Sequence, residues 1–145
     1  MSAGRICSRV VVTALPGELV RVAARRMAEH DVGTLVVIKD KVSREAIGIV
    51  TDRDIAIRCV ADGLDPDQSL VSTIMTTPAR AIDEDMPIEH AITRMAEAKA
   101  RRLIVTGKES DLVGILSLDD VLSLLADEVS PIGRLLESQE PHVHA

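Results

Sequence analysis

Displaced against itself by about 68 positions, the chain matches its own sequence. Ile6 falls on Ile74, Ala23 on Ala91, and Arg26-Met27-Ala28-Glu29 on Arg94-Met95-Ala96-Glu97. Leu35 and Val37 fall on Leu103 and Val105. After a loop two residues longer in the first copy, Gly48-Ile49-Val50-Thr51-Asp52-Arg53-Asp54 falls on Gly114-Ile115-Leu116-Ser117-Leu118-Asp119-Asp120. A duplication within 145 residues restricts the fold severely. Neither half can bury enough apolar surface alone, so the halves must pack against each other.

Both copies read in the order strand, helix, strand, strand, helix, an α/β (α+β) arrangement packed as a pseudo-twofold pair. Leu19 to His30 puts Leu19, Val20, Ala23 and Met27 on one helical face, and Ile88 to Ala100 does so with Ile88, Ile92 and Met95. Pro87 suits the first turn of that second helix. The β-branched runs Leu35–Ile38 and Leu103–Val105 read as buried strands, with second strands at Ala46–Val50 and Leu112–Leu116. Thr51 and Ser117 then cap a further helix in each copy, the first ending near Gly63. The expected organisation is repeat 1 over 1–65 (core about 8–63), a linker over 66–73, repeat 2 over 74–130, and a tail over 131–145. Pro131 and Gly133 are expected to end the last helix, with Gln139 to Ala145 frayed.

Composition removes several function classes. The apolar share is 46% without one Phe, Tyr or Trp, so no aromatic platform exists for stacking single-stranded nucleic acid. A net charge of −6 opposes phosphate polymers and anionic membranes, so neither a nucleic-acid nor a membrane partner is expected. No apolar run approaches the roughly 20 residues that cross a bilayer, and the opening Met1 to Arg5 precedes no signal-type stretch. Cys7 and Cys59 have no metal or redox spacing and suit a reducing compartment, so the expected location is cytoplasmic. His142 and His144, with Glu140, offer half a metal site at most, and no metal is expected. No nucleophile–base pattern or phosphate-cradling glycine loop is visible, so no catalytic residue is expected.

The repeated motif has two readings. Thr51 with Asp54, and Ser117 with Asp120, fit a capping box that merely starts a helix. The same geometry also aims free N–H groups and a hydroxyl at a ligand. The carboxylate one turn on could accept two hydrogen bonds from a ribose diol and would reject deoxyribose.

Together, the repeat order, the two copies and the motifs GIVTDRD and GILSLDD resemble a tandem CBS (cystathionine-β-synthase-type) pair, the Bateman module, over about residues 6 to 130. Ile104 stands where many members carry proline, and Arg101-Arg102 stands where the first copy has Gly33-Thr34. The resemblance implies a stand-alone sensor of AMP, ADP, ATP, NAD or S-adenosylmethionine, with no required cofactor and no enzymatic activity. It implies a cleft A of Thr51, Asp54, Ala79, Arg80, Arg101 and Arg102, with Arg53 reaching for phosphates. It implies a cleft B of Ser117, Asp120, Cys7, Val11, Val12, Gly33 and Thr34. The arginines make cleft A the expected place for a phosphorylated ligand, since their planar forks bind two oxygens at once. Cleft B would then hold a neutral adenosine-type group or nothing. The resemblance also implies a homodimer formed through Ile55–Ala61 and Val121–Val129, acting on an unidentified effector protein in trans. The competing expectation is a ligand-free protein–protein interaction module that only builds a dimer surface.

Overall fold

The computed structural model describes residues 1–139. Two three-stranded sheets organise an α+β fold. In the first, β1 (Thr13–Ala14) runs parallel to β2 (Thr34–Ile38), which pairs antiparallel with β3 (Ala46–Thr51). In the second, β4 (Ala81–Asp83), β5 (Arg102–Thr106) and β6 (Leu112–Ser117) repeat that order and those directions. A parallel step needs a crossover, and α2 (Val20–His30) and α5 (Ile88–Ala98) supply it. α2 buries Val20, Ala23 and Met27 of its expected stripe, and α5 buries Ile88 and Met95 as expected but Ala91 in place of Ile92, which is only partly buried.

Strand alternation divides the core into three. Leu35 and Val37 face α2 in the first sheet's core, as Leu103 and Val105 face α5 in the second. The intervening Val36, Ile38 and Ile104 point the other way and meet between the two sheets, with Leu112. That third cluster joins the repeats back to back.

The repeats also exchange their opening segments. The short α1 (Ala3–Ile6) packs on the second sheet's core, with Ala3 and Cys7 inside it. The corresponding α4 (Val71–Ile74) packs on the first, burying Val71 and Ile74 completely. Each exchange continues as a two-hydrogen-bond bridge to the other repeat's third strand. Ser8 and Ile115 trade N–H and carbonyl at 2.8 and 2.9 Å, as Thr76 and Ile49 do at 2.8 and 3.0 Å. The motif glycines follow from this crossing. A Cβ on Gly114 would lie 2.4 Å from the Ser8 carbonyl, and one on Gly48 would lie 2.8 Å from that of Thr76.

After Thr51 the chain makes α3 (Asp52–Asp54), widening into a π-helical stretch over Ile55–Val60. After Ser117 comes the longer α6 (Leu118–Gln139). Here one expectation fails: Pro131 and Gly133 lie inside α6 and do not end it. Leu118, Leu122, Leu125, Val129 and Ile132 keep a three- and four-residue apolar spacing across the proline, so the helical pattern runs on. Glu140, His142 and His144 lie outside the described residues. No helix among the described residues is long and apolar enough to cross a membrane.

Candidate functional site

Both capping boxes form. Thr51 Oγ1 accepts from the Asp54 N–H at 3.0 Å, and the Thr51 N–H donates to Asp54 Oδ2 at 2.9 Å. Ser117 Oγ accepts from the Asp120 N–H at 3.1 Å, and the Ser117 N–H donates to Asp120 Oδ2 at 3.1 Å. Each helix start is tied to the turn before its own repeat's second strand. The Asp52 N–H donates to the Gly33 carbonyl at 2.9 Å, and the Leu118 N–H to the Arg101 carbonyl at 2.7 Å. Gly33 also lies close under the Asp52 carboxylate: a Cβ there would sit 2.8 Å from Oδ2, a contact the exposed side chain can relieve by turning away.

A groove of about 800 Å³ opens between the two helix starts. It brings together Val11, Val12, Gly33, Thr34, Ser117 and Asp120, six of the seven residues expected in cleft B. Cys7, the seventh, is placed elsewhere: it is buried in the second core, its Sγ 3.6 Å from the Gly4 carbonyl. Burial pushes its thiol up. The next residue, Ser8, lines the groove in its place.

The residues expected in cleft A are dispersed. Thr51, Arg53 and Arg102 line the large groove. Arg80 and Arg102 line a separate cavity of about 190 Å³ walled by Ile49, Pro78, Ile104 and Ile115. Ala79 and Arg80 border a further hollow beside α5, where the Arg80 guanidinium donates to the Ala98 carbonyl at 2.7 Å. That is the carbonyl end of the helix, the favourable end for a cation. Neither Asp54 nor Arg101 lines the large groove or the 190 Å³ cavity.

The groove also contains acidic residues beyond those expected there. Asp31, Asp52 and Asp119 join Asp120 along it, against Arg53 and Arg102. Asp52 and Asp119 sit within the motif itself, but a capping box uses only its third residue, so that reading passes over them. Asp120 Oδ2 is committed to the cap, whereas Oδ1 has no protein partner among the described residues. Asp54 differs, because its Oδ1 lies 3.7 Å from Arg58 Nε. Among the described residues no cluster of three or more His, Cys, Asp or Glu side chains could hold a metal ion.

The chain belongs to the CBS-domain family, whose pattern matches residues 3–60 and again 71–127. It is 37% identical over 111 residues to the CBS domain-containing protein YhcV of Bacillus subtilis, covering 77% of this chain and 76% of that one. An uncharacterised protein of Methanopyrus kandleri is 34% identical over 124 residues, 86% of this chain, which spans only 62% of that relative's length. A CBS domain protein from Pyrobaculum aerophilum, solved in complex with AMP, superposes with a TM-score of 0.72 at 27% identity, over 83% of this chain and 89% of that one.

Proposed function

We propose that this chain is a regulatory module that binds an adenosine-type nucleotide in the 800 Å³ groove and resets the relative orientation of its two repeats. One observation carries the reading: the Asp120 carboxylate is held rigidly by one oxygen and leaves the other free in a groove lined by both repeats. A ribose diol is the chemistry that such an oxygen accepts. Val10, Val11, Val12 and Ile115 give an apolar slot for a base, and Arg53 and Arg102 give the phosphate its counter-charge. The AMP bound by the Pyrobaculum aerophilum relative supports the ligand class. Four carboxylates against two arginines disfavour a long phosphate chain, so AMP or the cationic S-adenosylmethionine fits better than ADP, ATP or NAD. Because both repeats line the groove, a ligand with different affinity for two repeat orientations shifts the population between them. The reading is of binding without turnover, in a reducing, cytoplasmic setting that suits two free, buried cysteines.

Thermal-shift measurements with AMP, ADP, ATP, NAD and S-adenosylmethionine test this reading. A ligand at about 100 times its Kd adds about 2.7 kcal/mol, a shift of several degrees. Asp120→Ala should cut the shift to about half or less at the same ligand concentration; an undiminished shift in that variant removes the site assignment.

One observation favours a second reading, a module that mainly builds a homodimer. Leu122, Val129 and Ile132 on α6 are 53%, 60% and 57% exposed, and Ile57 and Val60 are exposed on the first repeat's last helix. No shift with any of the five ligands, together with a dimer by light scattering, selects it.

A further inference from the structure

Asp54 and Asp120 occupy the same step of the duplicated motif, but only Asp120 lines the open groove, and only Asp54 has a guanidinium beside its second carboxylate oxygen. Arg58 makes the difference. Its Nε faces Asp54 Oδ1 at 3.7 Å, while its Nη1 donates to the carbonyls of Ile74 and Met75 at 3.2 and 3.3 Å. Those carbonyls end α4, the segment lent by the second repeat, so the guanidinium is clamped between its own helix and an exchanged one. The second copy carries Leu124 at the matching step, and Leu124 packs on the second core with no charge to offer. A ribose at Asp54 would have to share the carboxylate with a guanidinium facing it, whereas a ribose at Asp120 meets an acceptor with no such neighbour among the described residues.

The cavities differ in the same sense. Arg80 stands where the open groove has Val12, and Arg102, shared by both cavities, where it has Thr34. Larger side chains fill the slot, and 190 Å³ remains against 800 Å³. A site for a ligand of nucleotide size typically spans about 300 Å³ or more.

We infer that each chain binds one nucleotide, at Asp120, and that Arg58, helped by Arg80, closes the duplicated site at Asp54. This rests on the nucleotide reading above and adds the stoichiometry and the residue that sets it. Native mass spectrometry and titration calorimetry on the full chain, with AMP and S-adenosylmethionine as probes, test it. The wild type should take one probe molecule per chain. Asp54→Ala should leave the affinity within about twofold, while Asp120→Ala should weaken it about 10- to 100-fold, the worth of a charged hydrogen bond. Arg58→Leu combined with Arg80→Val, which leaves the residues of the Asp120 groove untouched, should admit a second molecule; if that double variant does not fold, Arg58→Met with Arg80→Val keeps the aliphatic stem against α4. Two molecules on the wild type, or equal losses from Asp54→Ala and Asp120→Ala, overturn the inference and leave the nucleotide reading standing. A folded double variant that still binds one removes Arg58 as the closing residue. If neither probe binds the wild type, both the reading and the inference fall.

Discussion

Thr51/Asp54 and Ser117/Asp120 share a backbone geometry, with cap distances of 2.9 and 3.0 Å in one copy and 3.1 and 3.1 Å in the other. The two copies diverge a helical turn later, where Arg58 in the first meets Leu124 in the second. The duplication therefore reproduces the local frame faithfully, while residues outside the motif decide whether a carboxylate is available to a ligand. A motif match reports the frame. Availability depends on what the rest of the chain brings to it.

The sharpest way to break the comparison is at the glycines. Gly48 and Gly114 serve one purpose, letting an exchanged segment cross a strand, but the crossing is tighter at Gly114. A Cβ there meets both the Ser8 carbonyl at 2.4 Å and Cys7 Sγ at 2.8 Å, against one carbonyl at 2.8 Å for Gly48. Overpacking against backbone has no flexible side chain to absorb it, so Gly114→Ala should cost about 3 kcal/mol and Gly48→Ala about 1–2 kcal/mol. Urea denaturation measures both. Equal losses would mean that the Cys7–Ser8 segment yields as readily as the Met75–Thr76 segment.

The caps come next in size. Ser117→Ala and Thr51→Ala each remove the acceptor for one helix-start N–H, so each should lower stability by about 1 kcal/mol, or a few degrees in Tm. The pair should be matched in stability and unmatched in nucleotide response, with only Ser117→Ala disturbing a residue beside the free Asp120 oxygen. A matched loss of ligand response in both variants would mean that Thr51, which lines the same groove, serves the ligand as much as Ser117 does.

The repeat register is readable without coordinates because a local alignment carries it: helix stripes, strand alternation and cap residues all lie within a few positions of one another. The exchange of α1 and α4 is not readable, because Ala3 and Val71 each find their core in the other repeat. The motif glycines are therefore visible as a pattern whose cause lies in distant segments, at Ser8 and Thr76. Cys7 reads as a cleft residue for the same reason: once α1 docks on the second sheet, the thiol turns inward and Ser8 takes the groove. Asp54 and Asp120 look equivalent in sequence because the contact separating them joins Arg58 to carbonyls sixteen and seventeen residues away. Pro131 misleads in the other direction, since a local breaker is outweighed by an apolar spacing that continues past it.

The smallest predicted difference concerns how each long crossover helix is fastened. In the first repeat Glu18 accepts from the Arg26 guanidinium, which also donates to the Thr13 carbonyl at 2.8 Å, tying α2 to β1. The matching residue in the second repeat is Met86, packed on an apolar core, so that fastening has nothing to titrate. The hydrogen bond from Arg26 holds the Glu18 carboxyl below the usual carboxylate range. A folded-state value below the unfolded one means that the pair's contribution is fully present above the ordinary glutamate range. It is lost as pH falls through the depressed value. Glu18→Gln should cost about 1 kcal/mol at neutral pH, since the pair is largely shielded yet still reached by solvent. Its amide oxygen can still accept from the Leu15 N–H, which the wild-type carboxylate does at 2.7 Å, so the variant isolates the charge. Urea midpoints of wild type and variant should therefore converge as pH drops toward the acid limb. A gap that stays constant with pH would assign the stabilisation to packing around Leu15, and the two fastenings would then be alike in kind.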